Sequence, residues 1–141
     1  MAHITAKGPD GTDKNVACDP DGALYFVSAP PSSYSVTIPS GQSLSGAVDL
    51  GGRTLGAIQM PAAWDAASMT FEASLDGVTY FNLLDDTASE VTLTVAANDL
   101  LRLTLSDWQA FRWLKFRSGT SGSPVNQSAD RVISLIGVAA N

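Results

Sequence analysis

The chain has 141 residues, of which 45% are hydrophobic, a length that suits one domain with an additional arm and a content that excludes wholesale disorder. The formal net charge is −6, with only 8 Lys and Arg residues, so the basic face used to bind nucleic acid or an anionic membrane is missing. No apolar run approaches the ~18 residues of a membrane-spanning helix. We therefore expect no direct nucleic-acid partner and no membrane partner.

The first 33 residues are predicted to form an attachment arm. Residues 7–15 are dense in turn formers. Residues 16–18 and 23–27 are predicted to be two short strands around an Asp-Pro-Asp-Gly turn, and residues 28–33 a Pro- and Ser-rich linker. Because a lone hairpin is marginal in water, it must pack on the body of the domain or on a neighbouring subunit. The arm residues expected to bind a partner are Val16, Leu24, Tyr25, Phe26 and Val27.

Residues 34–141 are predicted to form the body of the protein from short strands between turns. The clearest strand is residues 69–75, where every second side chain is apolar and expected to face the core, the last of them being Leu75. The polar side chains between them, including Thr70 and Ser74, are expected to face water or a partner. Further strands are predicted over residues 35–38, 43–48, 54–60, 78–84, 90–95, 100–105, 111–117 and 132–138.

The connections between these strands favour an antiparallel fold. An Asp-Gly pair at residues 76–77 is the strongest short hairpin signal in the chain. Brief helices are predicted around residues 61–67 and 105–110, and residues 118–130 form a long Gly- and Ser-rich loop. Many short strands without a long amphipathic helix predict an all-β sandwich, jelly-roll-like in type.

Residue types that support catalysis or metal binding are scarce. His3 is the only histidine and Cys18 the only cysteine, which leaves no imidazole-dependent triad, no disulfide and no cysteine metal cluster. Asp85 and Asp86 lie near Glu90, but carboxylates in a polar turn are usually solvated. We therefore expect no enzyme, no cofactor and no metal.

Two further groups of side chains have alternative interpretations. Trp64 and Trp108 lie in loops, where each either closes one end of the core or stacks on a sugar ring. Arg112, Lys115 and Arg117 are a basic cluster on an acidic chain, expected to pair with nearby carboxylates or with the acidic surface of an adjacent subunit.

Four stretches of the body carry recognisable motifs. They read Ile-Pro-Ser-Gly-Gln-Ser-Leu-Ser at 38–45, Gly-Ala-Ile-Gln-Met-Pro-Ala-Ala-Trp at 56–64, Phe-Glu-Ala-Ser-Leu-Asp-Gly-Val-Thr-Tyr at 71–80, and Trp-Leu-Lys-Phe-Arg-Ser-Gly-Thr-Ser-Gly-Ser-Pro-Val-Asn-Gln at 113–127. These stretches resemble small β-sandwich structural proteins of tailed bacteriophages, of the head decoration, head-fibre and neck kind. Residues 16–27 resemble the attachment arms of such proteins.

The resemblance implies a virion structural protein that decorates or cements the capsid, or that forms part of a head or neck fibre. It implies capsid, neck or portal-region proteins and further copies of the chain as partners, in a virion assembled in the bacterial host cytoplasm. The Asp-Gly hairpin and the Trp-Leu-Lys-Phe-Arg strand are also similar to discoidin-like, galactose-binding jelly rolls. That likeness leaves a glycan-binding module for host adsorption, through Trp64 or Trp108, as the alternative.

Overall fold

The structure, a computed structural model, describes residues 5–7, 13–15 and 30–139. Within these ranges the strands form a two-stranded sheet, β1-β2, and two four-stranded antiparallel sheets, β3-β10-β5-β8 and β4-β9-β6-β7. The fold is an all-β sandwich, as the sequence predicts. In chain order the elements are β1 (Thr5–Lys7), β2 (Asp13–Asn15), β3 (Ser32–Ile38), β4 (Val48–Asp49), β5 (Arg53–Gln59), β6 (Met69–Ser74), β7 (Phe81–Asn82), β8 (Leu100–Arg102), the 3₁₀ helix η1 (Leu105–Asp107), β9 (Trp113–Ser118) and β10 (Arg131–Ala139).

The core lies between the two four-stranded sheets because each strand turns its apolar side chains to one face. In β6 and β9, Phe71 and Phe116 lie opposite each other in register and are fully buried, with their rings edge to face at 5.0 Å between centroids. The other sheet contributes alternating buried side chains from β3 and β10. The fully buried large apolar residues are Ile38, Leu50, Leu55, Ile58, Met69, Phe71, Leu114, Phe116, Ile133 and Leu135.

The edges of the two sheets are closed differently on the two sides of the sandwich. On one side β3 lies over β4, and the hydroxyl of Tyr34 donates a hydrogen bond to the carbonyl of Leu50, 3.1 Å away. On the other side the edge strands are β7 and the three-residue β8. After β8 the chain leaves the sheet through η1, and the Trp108 ring packs edge to face on Phe71 at 4.8 Å. A tryptophan in a connection therefore covers the core where a longer strand would otherwise lie.

The structure confirms the long strands and shortens the others. Among the predicted strands, 35–38, 54–60, 69–75, 111–117 and 132–138 are found as β3, β5, β6, β9 and β10. Residues 78–84 contribute only β7, and residues 90–95 pair only through single bridges, Leu84 with Glu90 and Met69 with Leu93. The helix predicted at residues 61–67 does not form, and the one at 105–110 is reduced to η1. Side-chain alternation alone does not reveal how many backbone partners a strand finds.

The Asp-Gly pair does connect two antiparallel strands, β6 and β7, but by a six-residue connection rather than a two-residue turn. The Asp76 carboxylate accepts hydrogen bonds from the backbone N–H groups of Val78 and Thr79, at 2.8 and 2.9 Å. Gly77 has a φ of +77°, and a Cβ there would lie 3.0 Å from the Trp113 ring. The connection therefore folds onto the outer face of the sheet.

Three burial predictions for residues 69–75 are wrong. Leu75, expected in the core, is 83% exposed because β6 ends at Ser74. Thr70 and Ser74, expected at the surface, are buried. The hydroxyl of Thr70 donates to the carbonyl of Gly119 at 2.7 Å, and the Ser74 hydroxyl accepts a hydrogen bond from the N–H of Gly77 at 2.9 Å.

The loop over residues 118–130 is fixed by a polar contact that the composition does not reveal. Gln127 is fully buried, and its amide donates to the hydroxyl of Ser118 at 2.6 Å and to the carbonyl of Asp65 at 3.1 Å. The Asp65 carboxylate pairs with the Arg131 guanidinium at 2.8 Å. The loop after β5 and the loop before β10 are thus bound to each other.

The leading arm is described only where β1 and β2 pair, with Lys7 opposite Asp13. Residues 13–15, predicted to be part of a turn region, form β2. Residues 16–29, which contain the predicted Asp-Pro-Asp-Gly hairpin, lie outside the described residues, and the boundary placed after residue 33 stays a prediction.

The core predicts a large difference between two apolar truncations. Phe116→Ala removes a fully buried ring and should lower the free energy of unfolding by about 3–5 kcal/mol. Leu100→Ala truncates a side chain that is 72% exposed and should change it by no more than about 0.5 kcal/mol. Urea unfolding followed by tryptophan fluorescence measures both. Equal losses for the two variants would contradict the assignment of the core.

Candidate functional site

The residues predicted to bind a partner through the arm lie outside the described residues. This group comprises Val16, Leu24, Tyr25, Phe26 and Val27. Their role stays a prediction, and the candidate site in the described part of the chain must come from the body.

The two loop tryptophans have different environments. Trp108 is only 4% exposed and packs on Phe71, so its ring offers no face to a sugar. Trp64 is half-buried against the core, and its indole N–H donates to the carbonyl of Ala67 at 3.1 Å. The glycan-binding alternative stays a prediction that depends on Trp64. Trp113 lies half-buried on the outer face, with the Arg112 guanidinium 4.5 Å from its ring centroid.

The basic cluster is dispersed among separate partners. Arg112 pairs with Asp49 at 2.7 Å in an exposed contact, which lowers the pKa of Asp49 through the side-chain hydrogen bond. Lys115 lies 4.3 Å from the centroid of the Tyr80 ring. The expectation that these cations pair with nearby carboxylates is confirmed for Arg112 and for Arg117.

Arg117 is a buried cation on the outer face of β9, with its side chain only 8% exposed. Its guanidinium contacts the carboxylate of Glu72 at 2.8 Å and the amide oxygen of Asn82 at 2.9 Å. A longer contact of 3.4 Å reaches Glu90. The arrangement joins β6, β7 and β9 to the segment that follows β7. It is satisfied on all sides by this chain, which is typical of a structural ion pair rather than of a ligand site.

The acidic residues after β7 form a turn rather than a catalytic pair. The Asp85 carboxylate accepts hydrogen bonds from the N–H groups of Thr87 and Ser89 at 2.8 and 3.0 Å. The Thr87 hydroxyl also donates to this carboxylate. The hydroxyl bond above all, together with the two backbone bonds, lowers the pKa of Asp85. Glu90 is engaged by Arg117 and by the N–H of Ser121. Within residues 30–139 no three His, Cys, Asp or Glu side chains are grouped so as to hold a metal ion.

An exposed apolar depression is the candidate functional site, and we call it the open corner. It lies at the β7 edge of the sandwich and encloses about 330 Å³. Leu75 and Phe81 are 83% and 69% exposed, and Leu84 is also exposed. Exposed apolar side chains scattered singly need no explanation, but several grouped around one depression are typical of an interaction surface. The apolar side chains that line the open corner are Ala73, Leu75, Phe81, Leu83, Leu84 and Phe111.

The open corner belongs to the core side of the sheet. Phe81 lies directly opposite Ala73 in the register of β6 and β7, and directly opposed residues share a face. Ala73 faces the core, so Phe81 does as well. The side chain is exposed because the opposing sheet has no strand there: β8 ends at Arg102, and the half-buried Phe111 gives only partial cover. The corner is an unfilled end of the hydrophobic core.

An acidic cavity of about 620 Å³ adjoins the open corner and shares Leu83, Leu84 and Phe111 with it. Its carboxylates are those of Asp85, Asp86, Glu90 and Asp107. The two depressions together present an apolar floor beside a negatively charged rim. Such a surface fits an uncharged or basic apolar segment and disfavours an acidic one, because like charges repel across an interface.

The open corner is not predicted from the sequence, because side-chain alternation assigns Leu75 to the core. A signal was present in the sequence: Leu75 directly precedes the Asp-Gly pair, where the strand must stop. The exposure of Phe81 has no such local signal, since it depends on the length of β8 in the other sheet.

No protein family description and no curated protein matches the sequence. Among solved structures, the fold is similar to that of the SPBc2 prophage-derived protein YomS, with a TM-score of 0.50 and 14% sequence identity. The match covers 82% of this chain and 100% of that protein's chain. The likeness is one of fold, and it extends across the sandwich. In the described residues no helix has the length and apolar character needed to cross a membrane.

The buried position of Arg117 predicts a strong dependence of stability on its charge. Arg117→Met leaves Glu72 and Glu90 without their cation and should lower the free energy of unfolding by about 3–5 kcal/mol. Arg112→Met is the matched control, since it removes an exposed pair and should cost only a small part of that. Denaturant unfolding of the two variants measures the difference. Similar small losses would show that Arg117 is solvated.

The Asp85 turn predicts a sensitivity to acid. Its pKa is lowered in the folded state, so the carboxylate stabilises the fold above the ordinary value of 3.8, and this contribution is lost as the pH falls through the lower folded pKa. Asp85→Asn should therefore flatten the fall of Tm between pH 5 and pH 2.5, whereas Asp86→Asn should follow the parent chain. Thermal unfolding monitored by circular dichroism across this range is the measurement. Parallel curves for Asp85→Asn and the parent would refute the assignment.

Proposed function

We propose that this chain is a structural protein of a tailed-bacteriophage virion, which decorates or cements the capsid or forms part of a head or neck fibre. The observation that carries the proposal is the open corner, in which Leu75 and Phe81 expose core-side apolar surface beside an acidic rim. A surface of this kind becomes favourable when a protein partner covers it, because apolar area is then removed from water.

The phage setting is supported by two independent likenesses. Motifs across residues 38–127 resemble phage β-sandwich structural proteins. The fold is also similar to that of a prophage-derived protein, across 82% of this chain. Neither likeness specifies a position in the virion, and the capsid surface and the neck both suit a small projecting sandwich.

The mechanism is passive binding rather than catalysis. The leading arm, residues 1–33, attaches the chain, and the sandwich contacts capsid, neck or portal-region proteins and other copies of itself. A symmetric shell presents many equivalent sites, so each contact can be weak while the assembly remains stable. No cofactor, nucleic acid or membrane takes part in this role, and the protein resides in the virion after assembly in the host cytoplasm.

The proposal predicts that the chain copurifies with particles. Particles produced from the genome that encodes it should retain the chain through density-gradient centrifugation, in a copy number that matches a virion symmetry. Quantitative mass spectrometry against the major capsid protein measures the ratio, and cryo-electron microscopy of the same particles locates the subunit.

A chain that is abundant in the lysate but absent from purified particles would refute the proposal. A variant lacking residues 1–33, first checked for folding by circular dichroism, tests the arm separately. It should remain folded and lose its association with particles, whereas retained association would show that the arm is not the attachment.

A further inference from the structure

The open corner is a part of the hydrophobic core that no second layer of apolar side chains covers. Its floor, formed by Ala73 and Leu83, belongs to the core and is buried, while Leu75 and Phe81 at its margin are exposed. A segment that supplies two or three apolar side chains would complete the sandwich at this end. The natural filler is an uncharged, apolar segment, because the depression is apolar and bordered by carboxylates.

We propose that the open corner binds residues 23–27 of a second copy of this chain. The inference rests on the proposed function, in which copies of the chain lie side by side, and it specifies the partner of the arm. Residues 23–27 read Ala-Leu-Tyr-Phe-Val, which is apolar, β-prone and without charge. The segment therefore has the composition that the open corner requires.

The length of the chain limits which residues the same copy can bring to its own open corner, and this favours a second copy as the donor. Pro30 begins the described body, and its carbonyl accepts a hydrogen bond from the Arg53 guanidinium. Pro30 leads directly into β3, which lies over β4, whereas the open corner is at the β7 edge of the β4-β9-β6-β7 sheet. Those edges are separated by roughly 14 Å, three strand spacings of about 4.8 Å.

The reach from Pro30 is too short for the same chain to place Val27 in its own open corner, and Phe26, four residues away, spans about 14 Å only when the chain is fully extended. Val27 is three residues away, and three extended residues span at most about 11 Å. One chain therefore cannot lay all of residues 23–27 in its own open corner. The same segment of a neighbouring copy has no such restriction.

The contact is modest in area, which fits a many-copy assembly. Burial of two aromatic side chains, Phe26 of the segment and Phe81 of the corner, would remove about 300–500 Å² from water. This is less than the ~800 Å² per partner of a standard stable complex. The association of two free copies should therefore be weak. Donor and acceptor are different surfaces, so each copy can give its arm to one neighbour and receive the arm of another. Such head-to-tail contacts close into a ring or continue as a row.

The first experiment measures self-association of the full chain by sedimentation equilibrium from 10 μM to 1 mM. The parent chain should associate reversibly. Phe81→Ser should weaken association at least about tenfold, as expected for truncation of an aromatic side chain that the partner covers. The double variant Leu24→Asp with Phe26→Asp should do the same. Leu100→Ser, an exposed leucine in the other sheet, is the matched control and should leave association unchanged.

A mixing experiment tests donor and acceptor separately with full-length chains. The Phe81→Ser variant keeps an intact segment, and the Leu24→Asp, Phe26→Asp variant keeps an intact corner. Each alone should remain largely monomeric at a concentration at which the parent associates. At that concentration an equimolar mixture should form a one-to-one pair that grows no further, seen by labelling one variant with a fluorophore. Circular dichroism and Tm of each variant confirm that it is folded.

Three results would overturn the inference: a parent chain that stays monomeric up to 1 mM, an arm variant that associates like the parent, or a mixture that restores no pair. The outcome is independent of the test for particles. A chain present in virions but monomeric in solution defeats this inference and leaves the proposed function standing. A chain that self-associates through this contact but is absent from particles would support this inference and refute the proposed function.

Discussion

The architecture around the candidate site depends on one buried cation, Arg117. Its guanidinium is buried and pairs with Glu72 in β6. It also contacts Asn82 in β7 and Glu90 in the segment after β7. A charge this deeply buried is tolerated only when its hydrogen bonds are satisfied, so the partners are held in place. Because two of those partners flank residues 83–89, the ion pair fixes the segment that carries Leu84 and the acidic turn. The wall of the open corner is thereby set from the outer face of the sheet.

The corner is open because the edge strands of the two sheets differ in where they end. The edge strand β8 has three residues, and η1 follows it after two more. Trp108 fills part of the space by packing on Phe71, and this explains why the ring is buried although it lies in a connection. The remaining space stays open above Phe81. A loop tryptophan is therefore a core residue here, while a strand phenylalanine is a surface residue.

The same contrast explains what the sequence could predict. The all-β class and the long strands follow from side-chain alternation and turn residues, which are local signals. The burial of Gln127 and Thr70 and the exposure of Leu75 and Phe81 depend on which loops fold over each face. Those are contacts between residues distant in the chain: Thr70 bonds Gly119, and Gln127 bonds Asp65. The pairing of Arg117 with carboxylates follows from its burial, because a buried charge needs a counter-charge.

The strands of one sheet carry only basic charged residues, whereas the loops beside the open corner are acidic. The strands β3, β10, β5 and β8 contain Arg53, Arg102 and Arg131 and no acidic residue. The loops beside β7 contain Asp76, Asp85 and Asp86. An acidic chain that brings this rim against another copy would meet repulsion unless the inserted segment is neutral. Residues 23–27 are such a segment, so in the pairing proposed above the acidic rim would disfavour other partners while the apolar floor would supply the attraction.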